Sequence, residues 1–174
     1  MISEKFHLRL LIAGRRIRVN PPKVAFLMDM LCEYFDKWVM VDLQEADPGN
    51  SITHCNGLVE DVCAAFGYAG FKGDTANKIA AKLAADIEAW LHVDAIVAQS
   101  HANAGALAVA AWANPAGGHG HVACLRPGNA AISSKWGKKA PKCFNIGKRN
   151  LVGAAANWCF ADEPGYYVLK RSID

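Results

Sequence analysis

The chain has 174 residues, 52% of them hydrophobic and 20% charged, with a formal net charge of +3. That length buries a core without metal or disulfide staples, so one domain over residues 1–174 is expected. No apolar run reaches the roughly 18 residues that span a bilayer, and so mild a charge gives no footprint for nucleic acid. The opening segment Met1 to Arg15 has a short apolar core broken by Arg9 and no small-residue cleavage site after it, so export by the general route is not expected.

In chain order, residues 5–19 alternate and read as a strand or hairpin turning at Gly14 and closed by Pro21-Pro22. Phe26, Met30, Tyr34 and Trp38, with Leu27, Leu31 and Phe35, give residues 23–38 the spacing of an amphipathic helix. Asp47 to Asn50 is a turn that delivers the chain to Cys55. A helix follows to about Phe66, with Leu58, Val59, Val62 and Cys63 on the face that carries Cys55, and Gly67 ends it. Asp74 or Thr75 caps a further helix over 76–91.

Residues 94–103 read as a short helix stopped near Asn103 and Gly105, and Ala106 to Trp112 as a strand. After a loop at 114–118 comes a strand His121 to Leu125, bounded by Pro127-Gly128. Phe144, Asn145 and Ile146 lie in a third short strand, and Gly165 to Lys170 form the last. Helices first and strands later are the order of an α+β domain, its helices packed on an antiparallel sheet. There is no internal repeat.

Charge is unevenly spread. Arg126 to Arg149 holds seven basic residues and no acidic one, whereas Glu33 to Asp61 is acidic. The basic run reads either as steering for a negatively charged substrate or as a solvated lysine-rich loop.

Six cysteines stand at 32, 55, 63, 124, 143 and 159, without the spacing of a zinc ribbon or a dense disulfide framework. Cys55 differs from the others because it opens a helix, where unpaired backbone N–H groups and the helix dipole favour thiolate. The same N–H groups, those of Cys55 and Asn56, can hold the oxyanion formed when the thiol attacks an amide. Cys32, Cys63 and Cys159 read as inert core thiols.

His121 opens a strand behind Gly120, whose missing side chain leaves room for a substrate backbone, and it can serve as the base. His54, His101 and His119 are the other histidine candidates. His119 and His121 have no further ligand pair at metal-site spacing, so no metal or cofactor is called for. A base also needs an orienter, and Asn145, an amide between apolar neighbours, is the best placed. The alternative is a turn asparagine before Gly147; Asn150 and Asn157 are less constrained.

The run Thr53-His54-Cys55-Asn56-Gly57-Leu58-Val59-Glu60-Asp61-Val62, with Gly120-His121-Val122-Ala123-Cys124-Leu125 downstream, resembles the signature of the NlpC-type papain-like cell-wall peptidases and their CHAP amidase relatives. The chain is most similar to the first family of type VI secretion amidase effectors. That similarity includes Lys72 to Asn77, Pro141 to Phe144 and Tyr166 to Leu169, and spans about residues 50–170, with the first 45 less well matched. His54 stands where these enzymes often carry Asp or Asn.

The resemblance implies a papain-like fold, Cys55 as nucleophile, His121 as base, and Asn145 at a third position that varies among these enzymes. It implies hydrolysis of an amide bond in peptidoglycan peptide stems by a monomer that needs no cofactor. It also implies injection into a target cell's periplasm and a cognate immunity protein. A phage-type lysin, an acyltransferase using the same thioester, and a non-catalytic binding module are the competing readings.

Overall fold

The computed structural model describes residues 55–147 and 151–170. The hairpin expected at 5–19, the helix at 23–38 and the turn at 47–50 lie outside the described residues, as do Cys32, His54, Lys148, Arg149 and Asn150.

Helix α1 (Cys55–Ala65) begins at the expected cysteine. Its repeat of apolar positions three and four apart becomes a buried stripe of Leu58, Val59, Val62 and Cys63. Gly67 stops it at φ 78°, a left-handed conformation that glycine adopts without cost. The N–H of Gly67 then bonds Ala64 O and that of Tyr68 bonds Cys63 O, both at 2.8 Å, satisfying the last carbonyls of the helix.

Helix α2 (Ala76–Ala85) is capped by Thr75, whose hydroxyl accepts from Lys78 N. Asp74, the other cap candidate, instead forms an ion pair with Lys82 at 2.5 Å. The expected continuation to residue 91 is incorrect. Asp86 turns the chain: its carboxylate accepts from Ala89 N at 3.1 Å and its carbonyl from Trp90 N at 2.9 Å. Ile87 is left exposed, and Trp90 opens a strand.

The strands are β1 (Trp90–Val93), β2 (Ala108–Trp112), β3 (His121–Leu125), β4 (Ala131–Ser133), β5 (Lys138–Ala140), β6 (Lys142–Asn145), β7 (Leu151–Ala155) and β8 (Gly165–Leu169). Six of them form one sheet in the order β1-β8-β2-β3-β6-β7, antiparallel at every pairing, and β4 and β5 make a separate hairpin. Helix α3 (Ala95–Asn103), capped by Asp94, follows β1, and the short α4 (Ala156–Cys159) follows β7.

Alternation along the strands divides the core in two. Val109, Val122, Cys124 and Phe144 cluster with α1 and α2. Ala110, Ala123, Leu125 and Cys143 cluster with α3 and α4. The molecule is therefore α+β with an antiparallel sheet, as expected, and helices lie on both faces of that sheet. No helix among the described residues is long and apolar enough to cross a membrane.

Candidate active site

His121 is the first residue of β3 and pairs with Trp112 of β2. A histidine at a strand's first position has its backbone fixed by the sheet while its ring reaches the rim. The approach to it is held by Asn77 on α2. Asn77 donates to Gly118 O at 2.7 Å and accepts from Asn114 N at 2.9 Å, bracing both ends of the loop before β3. Gly120 passes so close that a Cβ there would collide with Asn77 Oδ1 and lie 2.8 Å from Trp112 O. The glycine is thus needed for the fit of this loop against α2, a role distinct from the substrate clearance expected of it.

Asn145, the last residue of β6, reaches the same ring. Cys124 pairs with Phe144 and Leu125 with Cys143, a register that puts Asn145 on the same sheet face as His121. His121 Nε2 and Asn145 Oδ1 are 2.5 Å apart. An amide oxygen only accepts, so Nε2 carries the proton and Nδ1 is the basic nitrogen. Asn145 is 2% exposed, which removes the reading of it as a turn asparagine. Gly147 completes the fit: a Cβ there would stand 3.2 Å from His121 Cε1. The Phe160 ring covers another side, its centroid 4.8 Å from that of the imidazole. Burial lowers the pKa of His121 below its usual 6.5, and the bond to Asn145 partly offsets this.

Cys55 is the first residue of α1 and is 3% exposed. Helix α1 packs on β3, and Cys55 belongs to the apolar cluster that holds Val122, the neighbour of His121. The cysteine thus comes to β3 from the sheet face opposite to the one that carries Asn145 and Phe160. The N–H groups of Cys55 and Asn56 lie in the first turn of α1, which contains no acidic residue. The Asn56 side chain donates to Asp74 O at 2.9 Å, and Glu60 accepts from Gly73 N at 3.1 Å, so the 70–75 loop is tied to this end of the helix.

Sequence reasoning overlooked Asn77 as a positioning residue and Phe160 as the cover of the imidazole. The dense Gly and Asn content of 114–120 signals a loop needing an outside brace, but nothing in the sequence marks Asn77 as that brace. His101 lies within α3, and His119 is exposed in the loop. Among the described residues no group of three or more His, Cys, Asp or Glu side chains is placed to hold a metal.

Part of the basic segment has internal uses. Lys138 pairs with Glu163 at 2.7 Å, Lys135 donates to Ala161 O, and the Arg126 guanidinium sits 4.8 Å above the Phe144 ring. Lys139 remains exposed. An open cleft of about 500 Å³ between His92, Asp94, Lys139 and Glu163, and another of about 310 Å³ near Tyr68 and Lys170, include neither His121 nor Cys55 in their walls.

No protein-family model and no curated protein sequence matches the chain. The site therefore rests on its own geometry: an imidazole locked in one tautomer by a buried amide, on the strand against which a cysteine-initiated helix is packed.

Proposed function

We propose that the chain is a papain-like cysteine hydrolase that cuts an amide bond in the peptide stems of peptidoglycan. The observation that carries this reading is the His121–Asn145 bond, because it leaves Nδ1 unprotonated and aimed by a fixed ring. The buried amide satisfies the Nε2–H and also fixes the orientation of the ring, which is the part an orienter plays beside a catalytic base.

In the proposed reaction Cys55 Sγ loses its proton to His121 Nδ1 and attacks the stem carbonyl carbon. The oxyanion accepts from the N–H groups of Cys55 and Asn56. Nδ1 then returns the proton to the departing amine, leaving a thioester on Cys55. Water, deprotonated by the same nitrogen, hydrolyses the thioester and regenerates the thiol. Cys55 comes from the sheet face opposite to the one that carries Asn145, so the reading requires Sγ and Nδ1 to meet around the first residue of β3. Asn145 takes no part in proton transfer; it keeps the ring oriented while the imidazolium forms.

The similarity to secreted amidase effectors extends the proposal to delivery into a target cell and to an immunity protein that plugs the site. Digestion of purified sacculi by the wild type and by Cys55→Ala tests the reading. The wild type is expected to solubilise the sacculi, and the variant to fold normally and leave them intact. Equal digestion by the variant would overturn the assignment.

A further inference from the structure

The open cleft of about 500 Å³ lies at the same end of the sheet as the imidazole. His121, the first residue of β3, pairs with Trp112, the last of β2; Ala111 pairs with Gly165, the first of β8; and Tyr166 pairs with Val93, the last of β1. These strand ends therefore line up along one rim. With roughly 4.8 Å between neighbouring strands, Gly165 is about 10 Å and Val93 about 14 Å from the start of β3. The sheet face is shared as well. Ala95 and Tyr166 in the cleft wall belong to the cluster that holds Phe160, and Val93 packs against it, on the side that carries Asn145. The segment from Phe160 to Gly165 joins the two places: Phe160 covers the imidazole, and Glu163, Pro164 and Gly165 line the cleft.

The cleft carries both signs of charge beside apolar surface. Lys139 is exposed in its wall, and Lys138 and Glu163 form their ion pair there at 2.7 Å. Asp94 caps α3 by accepting from Ile96 N and Val97 N with a single oxygen, Oδ1. Ile96, 47% exposed, supplies apolar surface next to it. The volume is that of a small-ligand pocket. A ligand with one sign of charge would leave the opposite sign in the wall desolvated and unmatched, whereas a zwitterion with an aliphatic stem complements all of these groups.

We propose that the cleft is a second subsite for the peptide stem, holding a stem residue that bears a free ammonium and a free carboxylate while the cut bond lies at the start of β3. The proposal rests on the hydrolase reading above. Lys139 receives the carboxylate, and Asp94 and Glu163 receive the ammonium. An extended chain advances about 3.3 Å per residue, so a gap of about 10–14 Å sets that residue three or four positions from the cut bond. The cleft acts on binding and takes no part in proton transfer.

The test titrates the full chain carrying Cys55→Ala with soluble muropeptides, released from sacculi by a muramidase, and follows backbone amides by NMR at pH 7. The amides of Val93, Ile96, Lys139 and Gly165 are expected to shift. Lys139→Glu should raise the Kd about 3- to 10-fold, through one exposed ion pair lost and a repulsion of similar size gained. Asp94→Asn should raise it about 2- to 5-fold while keeping the helix cap, since asparagine also caps. Acetylating the muropeptide amines should weaken binding by a similar factor. Shifts confined to residues around His121, with the four cleft amides unmoved at millimolar muropeptide, would overturn the subsite and leave the hydrolase reading standing. Cleft shifts weakened by both substitutions, with sacculi untouched by the wild type, would support the cleft and remove the hydrolase reading.

Discussion

His121 and Asn145 stand 24 residues apart in the chain and 2.5 Å apart in space, joined Nε2 to Oδ1. The antiparallel pairing of β3 with β6 brings them to one face, and the β4–β5 hairpin occupies the chain between them. Removing the amide leaves a buried N–H without its acceptor, at a cost of about 1–3 kcal/mol. Asn145→Ala is therefore expected to lower Tm by several degrees and kcat by roughly 10- to 100-fold, with KM little changed, since the amide acts on the ring and not on the substrate. Steady-state kinetics beside a thermal melt check both; an unchanged kcat would make the bond purely structural.

The lowered pKa of His121 gives a pH dependence of definite sign. The folded protein favours the neutral ring, whereas the unfolded chain takes up the proton near 6.5. The contribution of this residue to stability is present above pH 6.5 and is lost as pH falls from 6.5 through the lower folded value. The acylation rate is expected to fall over the same window as Nδ1 becomes occupied. NMR titration of the His121 ring should give a midpoint below 6.5; a midpoint above it contradicts the burial argument.

The proposed meeting of Cys55 with His121 has its own test. His121→Ala is expected to slow alkylation of Cys55 by iodoacetamide several-fold at pH 7, because the base that takes the thiol proton is gone. Peptide mapping of the alkylated protein measures the rate at Cys55 separately from the other cysteines. An unchanged rate would separate the two side chains.

Asn77 holds the loop that ends at His121. Asn77→Ala removes an acceptor for Asn114 N and a donor to Gly118 O, and is expected to cost about 1–2 kcal/mol. Gly120→Ala should be worse, since its Cβ would lie 2.8 Å from the backbone oxygen of Trp112, which cannot move aside as a side chain can. Chemical denaturation ranks the two variants, and equal stability of Gly120→Ala and wild type would refute the close packing of this loop.

Much of this arrangement was legible in the sequence where strong punctuation coincides with clear periodicity. The strand His121–Leu125, set between a Gly-rich loop and Pro127-Gly128, and the helix from Cys55 to the Gly67 stop are examples. The helix expected to reach residue 91 failed because Ile87, Trp90 and Leu91 continue a helical spacing, while the Asp86 side chain and carbonyl close a turn. Strand β7 escaped because its small residues and Gly153, at φ 67°, carry no β signal, and its place is set by pairing with β6. Asn145 was legible as an amide in need of a partner. Its pairing with His121 was expected from the role of an orienter, whereas the β3–β6 register that brings the two together is encoded by no local pattern.

The central claim, that Cys55 forms a thioester with a peptidoglycan stem, is tested most directly by mass spectrometry of sacculi digested with the wild-type protein and with Cys55→Ala. The wild type is predicted to release stem fragments bearing a new amine and a new carboxyl group at one defined bond, and the variant to release none. Sacculi left unaltered by the wild type, or the same fragments released by the variant, would contradict it.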